Sequence, residues 1–285
     1  MVDYAAMAHA LVALGSNLGD RAEQLNAALA ELARLPSSHL IRRSGWFETP
    51  PIGGPAGQGA FLNGAALLWT TLAPRSLLAS LQAIEQRLGR VRGERWGARV
   101  IDLDLLLLDQ LVIGELVTAD GPEIIVPHPR MAFRRFVLEP AAAVAPWMVH
   151  PTSGWMVQAL YEQLTHGADV VAVAASDSGE AGAWIERLRQ RFVDGPRIVA
   201  WDEYRAEANH GAGFPRPKLI LAFLSDDAAE LPAFHAGARS RRMPNLPAGP
   251  VAWIPSTGVA EQLVEAAAAI QAVWPELASA ASPSD

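Results

Sequence analysis

The chain has 285 residues, of which 51% are hydrophobic and 19% are charged, and 23 basic against 30 acidic side chains give a formal net charge of −7. At roughly 100–200 residues per domain, this length predicts one large domain or two modest ones, and the composition excludes a mainly disordered chain. The chain has no cysteine, which excludes disulfides, thiolate metal sites and cysteine nucleophiles, and the acidic balance disfavours broad nucleic-acid binding.

The cellular location is an expectation from composition. No run of about 18 apolar residues occurs, so we expect no transmembrane helix and no membrane partner. Met1–Ala10 has no Lys or Arg before its short apolar run, unlike the basic start of a signal peptide. Together with the absence of cysteine, this favours a cytoplasmic protein.

Hydrophobic periodicity predicts four strands and two helices in about the first hundred residues. One helix follows the N-cap Asp20 and ends at Pro36, and a second runs from Pro74 to a stop at Gly89. The predicted strands are His9–Leu14, His39–Glu48, Phe61–Leu72 and Val100–Leu108, with a Gly/Pro-rich loop at Thr49–Gly59. The order predicts an α+β fold, a ferredoxin-like βαββαβ sandwich in which one sheet face is free for a site.

A turn at Asp109–Gln110 into Leu111–Ile113 and a closing helix at Gly154–Leu164 complete a first domain that we place at residues 1–167. Residues 168–285 are predicted to form a small α/β accessory domain of unknown role and unknown partner, with interaction or oligomerisation as candidate roles. Its predicted elements are strands Asp169–Ala175, Arg197–Ala200, Lys218–Leu224 and Val251–Ile254 and helices Glu180–Phe192 and Ala260–Val273. It has no G-x-x-x-x-G-K-[ST] motif, which disfavours P-loop kinase chemistry. His210, Arg239, Arg241 and Arg242 are either an anion site or a solvated polar surface.

Asp102 and Asp104 are the most informative pair in the sequence. On a strand, residues i and i+2 share a face with Cα atoms roughly 6.5–7 Å apart, so both carboxylates point the same way while Leu103 points to the packed face. The two carboxylates repel each other unless a cation lies nearby. Carboxylate oxygens are ligands that suit Mg²⁺. The alternative is a solvated polar strand face.

An arginine-rich loop precedes this strand. Arg90, Arg92, Arg95 and Arg99 fall within ten positions, with Trp96 among them. Guanidinium groups bind phosphate oxygens in a forked geometry, so the loop and the acidic pair together indicate transfer chemistry on a nucleoside triphosphate. The alternatives are a solvated basic loop and a nucleic-acid patch with an intercalated Trp.

Several separate motifs in one order give the first domain a family resemblance. They are Ala13–Asp20 (ALGSNLGD), Glu48–Ile52 (ETPPI), Phe61–Asn63 (FLN), Gly89–Gly97 (GRVRGERWG), Arg99, Asp102–Asp104 (DLD), Val126–Met131 (VPHPRM) and Arg134–Phe136 (RRF). From about Leu11 to Leu164 the chain resembles 6-hydroxymethyl-7,8-dihydropterin pyrophosphokinase, an enzyme of folate biosynthesis. Such enzymes are often fused to the aldolase before them or the synthase after them, and residues 168–285 resemble neither.

The resemblance implies a reaction and a set of site residues. The reaction moves the β,γ-pyrophosphoryl group of ATP to the hydroxymethyl oxygen of the reduced pterin and releases AMP, with two Mg²⁺ ions held by Asp102 and Asp104. The implied ATP-site residues are Gln82, Glu85, Arg90, Arg92, Arg95, Trp96, Arg99, His128 and Arg134. The implied pterin-site residues are Thr49, Pro50, Pro51, Ile52, Phe61, Asn63, Asp102 and Phe136, with the two Phe rings on either side of the pterin. Arg90, Arg92, Asp102 and Asp104 are the implied catalytic residues.

The chain departs from the family pattern in three places. The arginine loop is one residue shorter than in some members at Gly93–Glu94, Phe61 stands where a tyrosine is also found, and Pro129 follows His128 where the pattern has an aromatic. No general base is evident, and in-line positioning with charge neutralisation can supply most of the rate of such a transfer. Two other functions stay open: a catalytically silent pterin- or nucleotide-binding protein, and an arginine-loop nucleic-acid binder.

Overall fold

The computed structural model describes residues 7–55, 57–91, 96–115, 124–209, 215–224 and 249–279. The chain divides into two compact units. The first is Met1–Met131 with Phe136–Gln158, and the second is Ala132–Arg135 with Ala159–Asp285. Arg92 and Arg95, and the candidate anion-site residues His210, Arg239, Arg241 and Arg242, lie outside the described residues. Among the described residues, no helix is both long and apolar enough to cross a membrane.

An antiparallel sheet forms the centre of the first unit. Its strands are β1 Ala8–Ser16, β2 Ser38–Arg43, β3 Phe47–Thr49, β4 Phe61–Thr70 and β5 Asp102–Leu108. They run in the order β2-β4-β1-β5, with β3 also paired to β4. The first unit is therefore a mixed helix and strand fold built on an antiparallel sheet.

Two helices cover one face of this sheet. The helix α1 spans Arg21–Ala33 and is capped by Asp20, whose carboxylate accepts from the backbone N–H of Glu23 at 2.9 Å. The helix α2 spans Pro74–Arg87, with proline at a first-turn position that needs no N–H donor. The core residues on the covered face include Leu14, Leu25, Leu29, Leu77, Leu81, Ile84, Leu103 and Leu105. Because successive side chains on a strand point to opposite faces, the polar side chains of β5 lie on the face that the two helices leave uncovered.

The strand expected at His39–Glu48 is wrong as one element, because it is interrupted between β2 and β3. The register against β4 shifts between Leu40 and Arg42, and the Ser44 hydroxyl accepts from the backbone N–H of Ala65 at 2.9 Å. The ring of Trp46 lies over Gly64, where an added Cβ would come within 2.4 Å of it. Contacts of the Ser44 and Trp46 side chains with β4 thus interrupt the strand that hydrophobic periodicity predicted as one continuous element.

Five further elements between residues 113 and 166 differ from the sequence expectation. The strand expected at Leu111–Ile113 lies instead at β6 Ile113–Glu115, which pairs with an unexpected strand β7 Ile124–Val126. A 3-10 turn at Met131–Phe133 precedes an unexpected helix α3 at Arg135–Val144, which contains Pro140. The closing helix α4 runs Val157–His166 rather than from Gly154. The compact units divide within α4, and the domain boundary at residue 167 stays a prediction.

A parallel sheet forms the second unit. Its strands are β8 Ala168–Ala174, β9 Arg197–Ala200, β10 Pro217–Phe223 and β11 Val251–Ile254, in the order β11-β10-β8-β9. The helices among the described residues of this unit are α5 Ser178–Arg191, α6 Trp201–Asn209, α7 Val259–Val273 and α8 Glu276–Ser279, of which α6 and α8 are unexpected from the sequence. Trp184 stacks on Phe223 with ring centroids 4.3 Å apart, which places α5 on the sheet.

Candidate active site

A row of three residues crosses the open face of the antiparallel sheet. Gly15 of β1 is paired with Asn63 of β4 on one side and with Asp102 of β5 on the other. Directly paired residues project to the same face, so the amide and the carboxylate flank a position with no side chain. A Cβ at Gly15 would lie 3.3 Å from Asn63 Oδ1 and 3.9 Å from Phe61 Cδ1. The glycine therefore leaves an open floor between the predicted pterin residues and the predicted metal ligands.

Two arginines bind the Asp102 carboxylate. Arg90 Nη1 lies 2.5 Å from Oδ1, and Arg99 Nη1 donates to Oδ2 at 2.7 Å. Burial raises the pKa of Asp102 and the neighbouring Asp104 charge raises it further, while Arg99 and Arg90 lower it. Burial and the Asp104 charge thus disfavour the ionised form of Asp102, and the nearby guanidinium groups of Arg99 and Arg90 offset part of that free-energy cost.

Glu85 lies behind this cluster on α2. Glu85 is 6% exposed, and its carboxylate accepts from the Leu103 backbone N–H at 2.7 Å and forms an ion pair with Arg90. Desolvation raises the pKa of Glu85 to about 7, against the lowering effect of the Leu103 hydrogen bond and of Arg90. The family resemblance implies an ATP-site residue here, and the Glu85 side chain lies beside Arg90 and against the backbone between the two aspartates.

Asp104 is the more exposed member of the acidic pair, with 40% of its side chain accessible. His128 Nε2 lies 3.9 Å from its Oδ2, and His128 Nδ1 accepts from the backbone N–H of Arg130 at 3.1 Å. Because Nδ1 is an acceptor, the neutral imidazole carries its proton on Nε2 and faces Asp104 with a donor. The predicted ATP-site histidine is therefore beside the predicted metal ligand.

Asp102 and Asp104 fit a magnesium site in their donor chemistry. Both carboxylates lie on one face of β5, and the Asp104 charge raises the Asp102 pKa, which indicates repulsion that a cation would relieve. Within the described ranges, no group of three or more His, Asp or Glu residues is arranged to hold a metal. Mg²⁺ bound here would take its other ligands from phosphate oxygens and water, as it does at many nucleotide sites.

Residues 49–55 and 57–59 of the Gly/Pro-rich segment, called the pocket loop below, border the Asn63 side of this face. Asn63 Nδ2 donates to Thr49 Oγ1 at 2.8 Å, and β3 places Thr49 opposite Phe61. Arg21 holds the flanks of the loop, donating to the Ala60 carbonyl at 2.8 Å and pairing with Glu48 at 2.9 Å. Pro50, Pro51 and Ile52 follow Thr49 and are partly buried.

The other predicted residues occupy several elements. Gln82 is one helical turn before Glu85 on α2 and is partly buried. Trp96 lies under the guanidinium of Arg130, whose Cζ is 5.7 Å from the ring centroid. Phe136 is in the first turn of α3 within the first compact unit, whereas Arg134 belongs to the second unit. Their ligand contacts stay predictions.

Three contact residues were not singled out from the sequence. Asn17 and Gln58 bind each other and both sides of the site, and Arg21 braces the pocket loop. Asn17 falls in the ALGSNLGD motif, but its backbone partners are some 40 and 82 residues away. No local sequence pattern indicates that a side-chain amide forms hydrogen bonds with backbone atoms far away in the sequence. These residues are therefore identified from the folded geometry.

The acidic and arginine side chains on the open face of the sheet have the chemistry of a class of site that binds Mg²⁺ and phosphate groups. The family model of 7,8-dihydro-6-hydroxymethylpterin-pyrophosphokinase (HPPK) matches residues 11–146. Three relatives are named 2-amino-4-hydroxy-6-hydroxymethyldihydropteridine pyrophosphokinase. The Pseudomonas aeruginosa protein is 48% identical over 47% of this chain and 79% of its own, the Synechocystis protein 39% over 54% and 75%, and the Haemophilus influenzae protein 40% over 52% and 88%. The chain belongs to the HPPK family.

A solved structure of Plasmodium falciparum HPPK-DHPS with pteroate is also similar. It is 12% identical with a TM-score of 0.45, and the match covers 69% of this chain and 55% of that one. The family assignment rests on the sequence relatives, which match the first half of the chain.

Proposed function

We propose that this chain transfers the pyrophosphoryl group of ATP to the hydroxymethyl oxygen of 6-hydroxymethyl-7,8-dihydropterin, a step of folate biosynthesis. The observation that carries the proposal is the row Asn63–Gly15–Asp102, which places the Asn63 amide beside a carboxylate bound by two arginines. A flat polar heterocycle and a polyphosphate each have a suitable surface on the same sheet face.

The proposed reaction is a single displacement. The hydroxymethyl oxygen attacks the β-phosphorus, the bond from that phosphorus to the α–β bridging oxygen breaks, and AMP leaves with that oxygen. The pterin diphosphate keeps the β- and γ-phosphoryl groups, and the hydroxyl proton is released. No electrons are exchanged, so the chemistry needs in-line positioning and neutralisation of charge.

The acidic and arginine residues would hold the polyphosphate. Asp102 and Asp104 would bind Mg²⁺, which neutralises charge on the phosphate oxygens; two ions are expected from the family resemblance. Arg90 and Arg99 are already directed to Asp102, and a bound phosphate would offer their donors a second anionic partner. Arg92, Arg95, Trp96, Gln82, His128 and Arg134 stay predicted ATP contacts.

The pterin would lie on the Asn63 side. Phe61 offers a ring face, and the Asn63 amide offers an acceptor toward Gly15 while its Nδ2 is held by Thr49. Pro50, Pro51 and Ile52 would line the edge, and Phe136 would be the second ring. Asp102 would contribute to both substrates by orienting the hydroxymethyl group.

We assign the first unit to the ferredoxin-like βαββαβ class and the second to a small α/β accessory domain of unknown role. The strand order β2-β4-β1-β5, with α1 and α2 on one face, supports the first assignment. The parallel order β11-β10-β8-β9 supports the second.

The test is a product assay on the full chain with Mg²⁺, ATP and 6-hydroxymethyl-7,8-dihydropterin. AMP and pterin diphosphate should form one for one, and neither should form without the pterin. Asp104→Asn should abolish the reaction, whereas Asp202→Asn, which changes an exposed carboxylate paired with Arg205 one helical turn away, should not. Absence of AMP from the wild-type chain would reject the proposal and leave a silent binding protein.

A further inference from the structure

The side-chain amide of Gln58 contacts segments that are far apart in sequence. Its Nε2 donates to the Trp96 carbonyl at 2.9 Å and also lies 3.3 and 3.5 Å from the carbonyl oxygens of Pro55 and Gly53. Its Oε1 accepts from Asn17 Nδ2 at 3.2 Å. One amide therefore joins the pocket loop, the end of β1 and the segment Trp96–Arg99, called the stem below.

The pocket loop approaches the stem as closely as its backbone allows. Gly53 and Gly54 have φ values of +68° and +77°, and a Cβ on either would collide with Trp96, at 2.8 Å from Cε3 for Gly53 and 2.4 Å from the carbonyl oxygen for Gly54. A Cβ on Gly54 would also lie 2.6 Å from Gln58 Nε2. Two consecutive glycines thus make room for the contact that Gln58 closes.

Asn17 extends the connection to the metal end of the site. Its backbone N–H donates to the Arg99 carbonyl at 3.1 Å, and its Oδ1 accepts from the Arg99 backbone N–H at 2.8 Å. Arg99 in turn donates to Asp102 at 2.7 Å. Asn17 is 7% exposed, so both ends of its amide are committed inside the protein. A continuous set of hydrogen bonds runs from the pocket loop through Gln58 and Asn17 to the Asp102 carboxylate.

We propose that Gln58 is a positioning residue that couples the pterin half of the site to the nucleotide half. It does so by holding the pocket loop and the stem in one arrangement, so that a ligand ordering either segment orders the other. The inference rests on the proposed function, since it takes the pocket loop as a pterin contact and the stem as a neighbour of the bound phosphates.

Coupling of this kind has a measurable form. When the first ligand has already ordered the shared segments, the second ligand loses less conformational entropy on binding and binds more tightly. The effect of the pterin on nucleotide binding and the effect of the nucleotide on pterin binding are equal in free energy. Each ligand must therefore raise the affinity of the other by the same factor. Removing the bridge lowers that factor toward one, whereas damage to a single pocket weakens one ligand and leaves the factor unchanged.

The experiment measures that factor by isothermal titration on the full chain. The probes are 6-hydroxymethyl-7,8-dihydropterin and Mg²⁺ with α,β-methylene-ATP, in which the bond to be cleaved is inert. Each is titrated alone and in the presence of the other. For Gln58→Met, which keeps the length of the side chain and loses its hydrogen bonds to Trp96 and Asn17 and to the loop carbonyls, we expect the coupling factor to fall at least about fivefold, the factor expected from losing one net hydrogen bond.

Two further variants separate coupling from general damage. Gln58→Glu keeps an acceptor for Asn17 and replaces the donor to the Trp96 carbonyl, so it should lose coupling as Gln58→Met does. Gln110→Met removes a comparable amide-to-carbonyl bond, from Gln110 Nε2 to the Val149 oxygen at 3.2 Å, beyond the other end of β5, and should keep the wild-type factor.

The measured coupling factors either support or overturn the proposal. A wild-type factor well above one that falls in both Gln58 variants supports the proposal. A wild-type factor of one, or a factor that stays at the wild-type value in either folded Gln58 variant, overturns it. Failure of the wild-type chain to form AMP concerns the proposed function, and the two binding titrations report on the coupling separately.

Discussion

The backbone N–H of Leu103 donates to the Glu85 carboxylate at 2.7 Å, at the one residue between Asp102 and Asp104. A helix side chain thus holds β5 at the point where the two predicted metal ligands project to the opposite face. The same carboxylate binds Arg90, which binds Asp102. Glu85 therefore fixes both the strand and the guanidinium, and it does so from a buried position.

This burial makes stability depend on pH. The pKa of Glu85 is about 7 in the folded chain and 4.5 without perturbation, mainly because of desolvation, so the folded state binds the proton more tightly. The stabilising contribution is complete below about pH 4.5 and is lost as pH rises through about 7. Over that interval the free energy of unfolding from this group should fall by about 3 kcal/mol.

Glu85→Gln should remove that part of the pH dependence, because the amide keeps an acceptor for Leu103 and does not titrate. Urea unfolding of both chains at pH 5 and pH 7.5 gives the comparison. The free energy of unfolding of the variant should rise relative to that of the wild type at the higher pH. Glu186→Gln on the exposed face of α5 is the control. An identical pH dependence in wild type and Glu85→Gln would contradict the raised pKa.

Asp102→Asn should separate activity from stability. The charged form is disfavoured by burial and by Asp104, so a neutral isostere should not lower the melting temperature. Loss of a metal-binding charge in a polyphosphate site should nevertheless reduce kcat by about 100-fold or more. Calorimetry and the AMP assay check the two halves, and a large fall in melting temperature would show that Asp102 has a mainly structural role.

Most of the element order in about the first hundred residues followed from sequence, because those helices and strands agree with local signals. Asp20 and Pro74 mark helix starts, and the alternation around Leu103 correctly placed Asp102 and Asp104 away from the core. The family motifs led to the same residues. These features depend on neighbours within a few positions, which is what periodicity and capping record.

The helix α3 and the bridging contacts could not be found in this way. Pro140 reads as a helix breaker, yet it lies inside α3, where tertiary packing of Val137, Leu138 and Ala141 in the core outweighs the lost N–H donor. Gln58 reads as an ordinary loop residue because its partners Asn17 and Trp96 are 41 and 38 residues away. Such contacts exist only once the sheet has brought the loops together.

Gly15→Val should narrow the open floor of the site on its Asn63 side. The Cβ alone would be in tight contact with Asn63 Oδ1 at 3.3 Å, and the two methyl groups would enter the space beside Phe61. We expect the KM for the pterin to rise by about tenfold or more, which corresponds to the roughly 1–3 kcal/mol cost of overpacking. The KM for ATP should change much less.

Gly182→Val is the matched control, since outside its own helix backbone no atom of the described residues lies within 4 Å of an added Cβ at that position on α5. Steady-state kinetics with each substrate varied in turn give both KM values. Equal increases in the two KM values for Gly15→Val would show that the substitution disturbs the whole sheet rather than the pterin side.

Gly64→Ala should destabilise the first unit through Trp46. The added Cβ would lie 2.4 and 2.6 Å from two carbons of the Trp46 ring, which is closer than packed atoms can approach, so the ring must move. Overpacking of this kind costs about 1–3 kcal/mol. Trp46→Leu in the same chain should recover part of the loss, because the smaller side chain leaves room for the methyl group. A double-mutant cycle of urea unfolding measures this, and strictly additive losses would show that the indole of Trp46 does not set the break between β2 and β3.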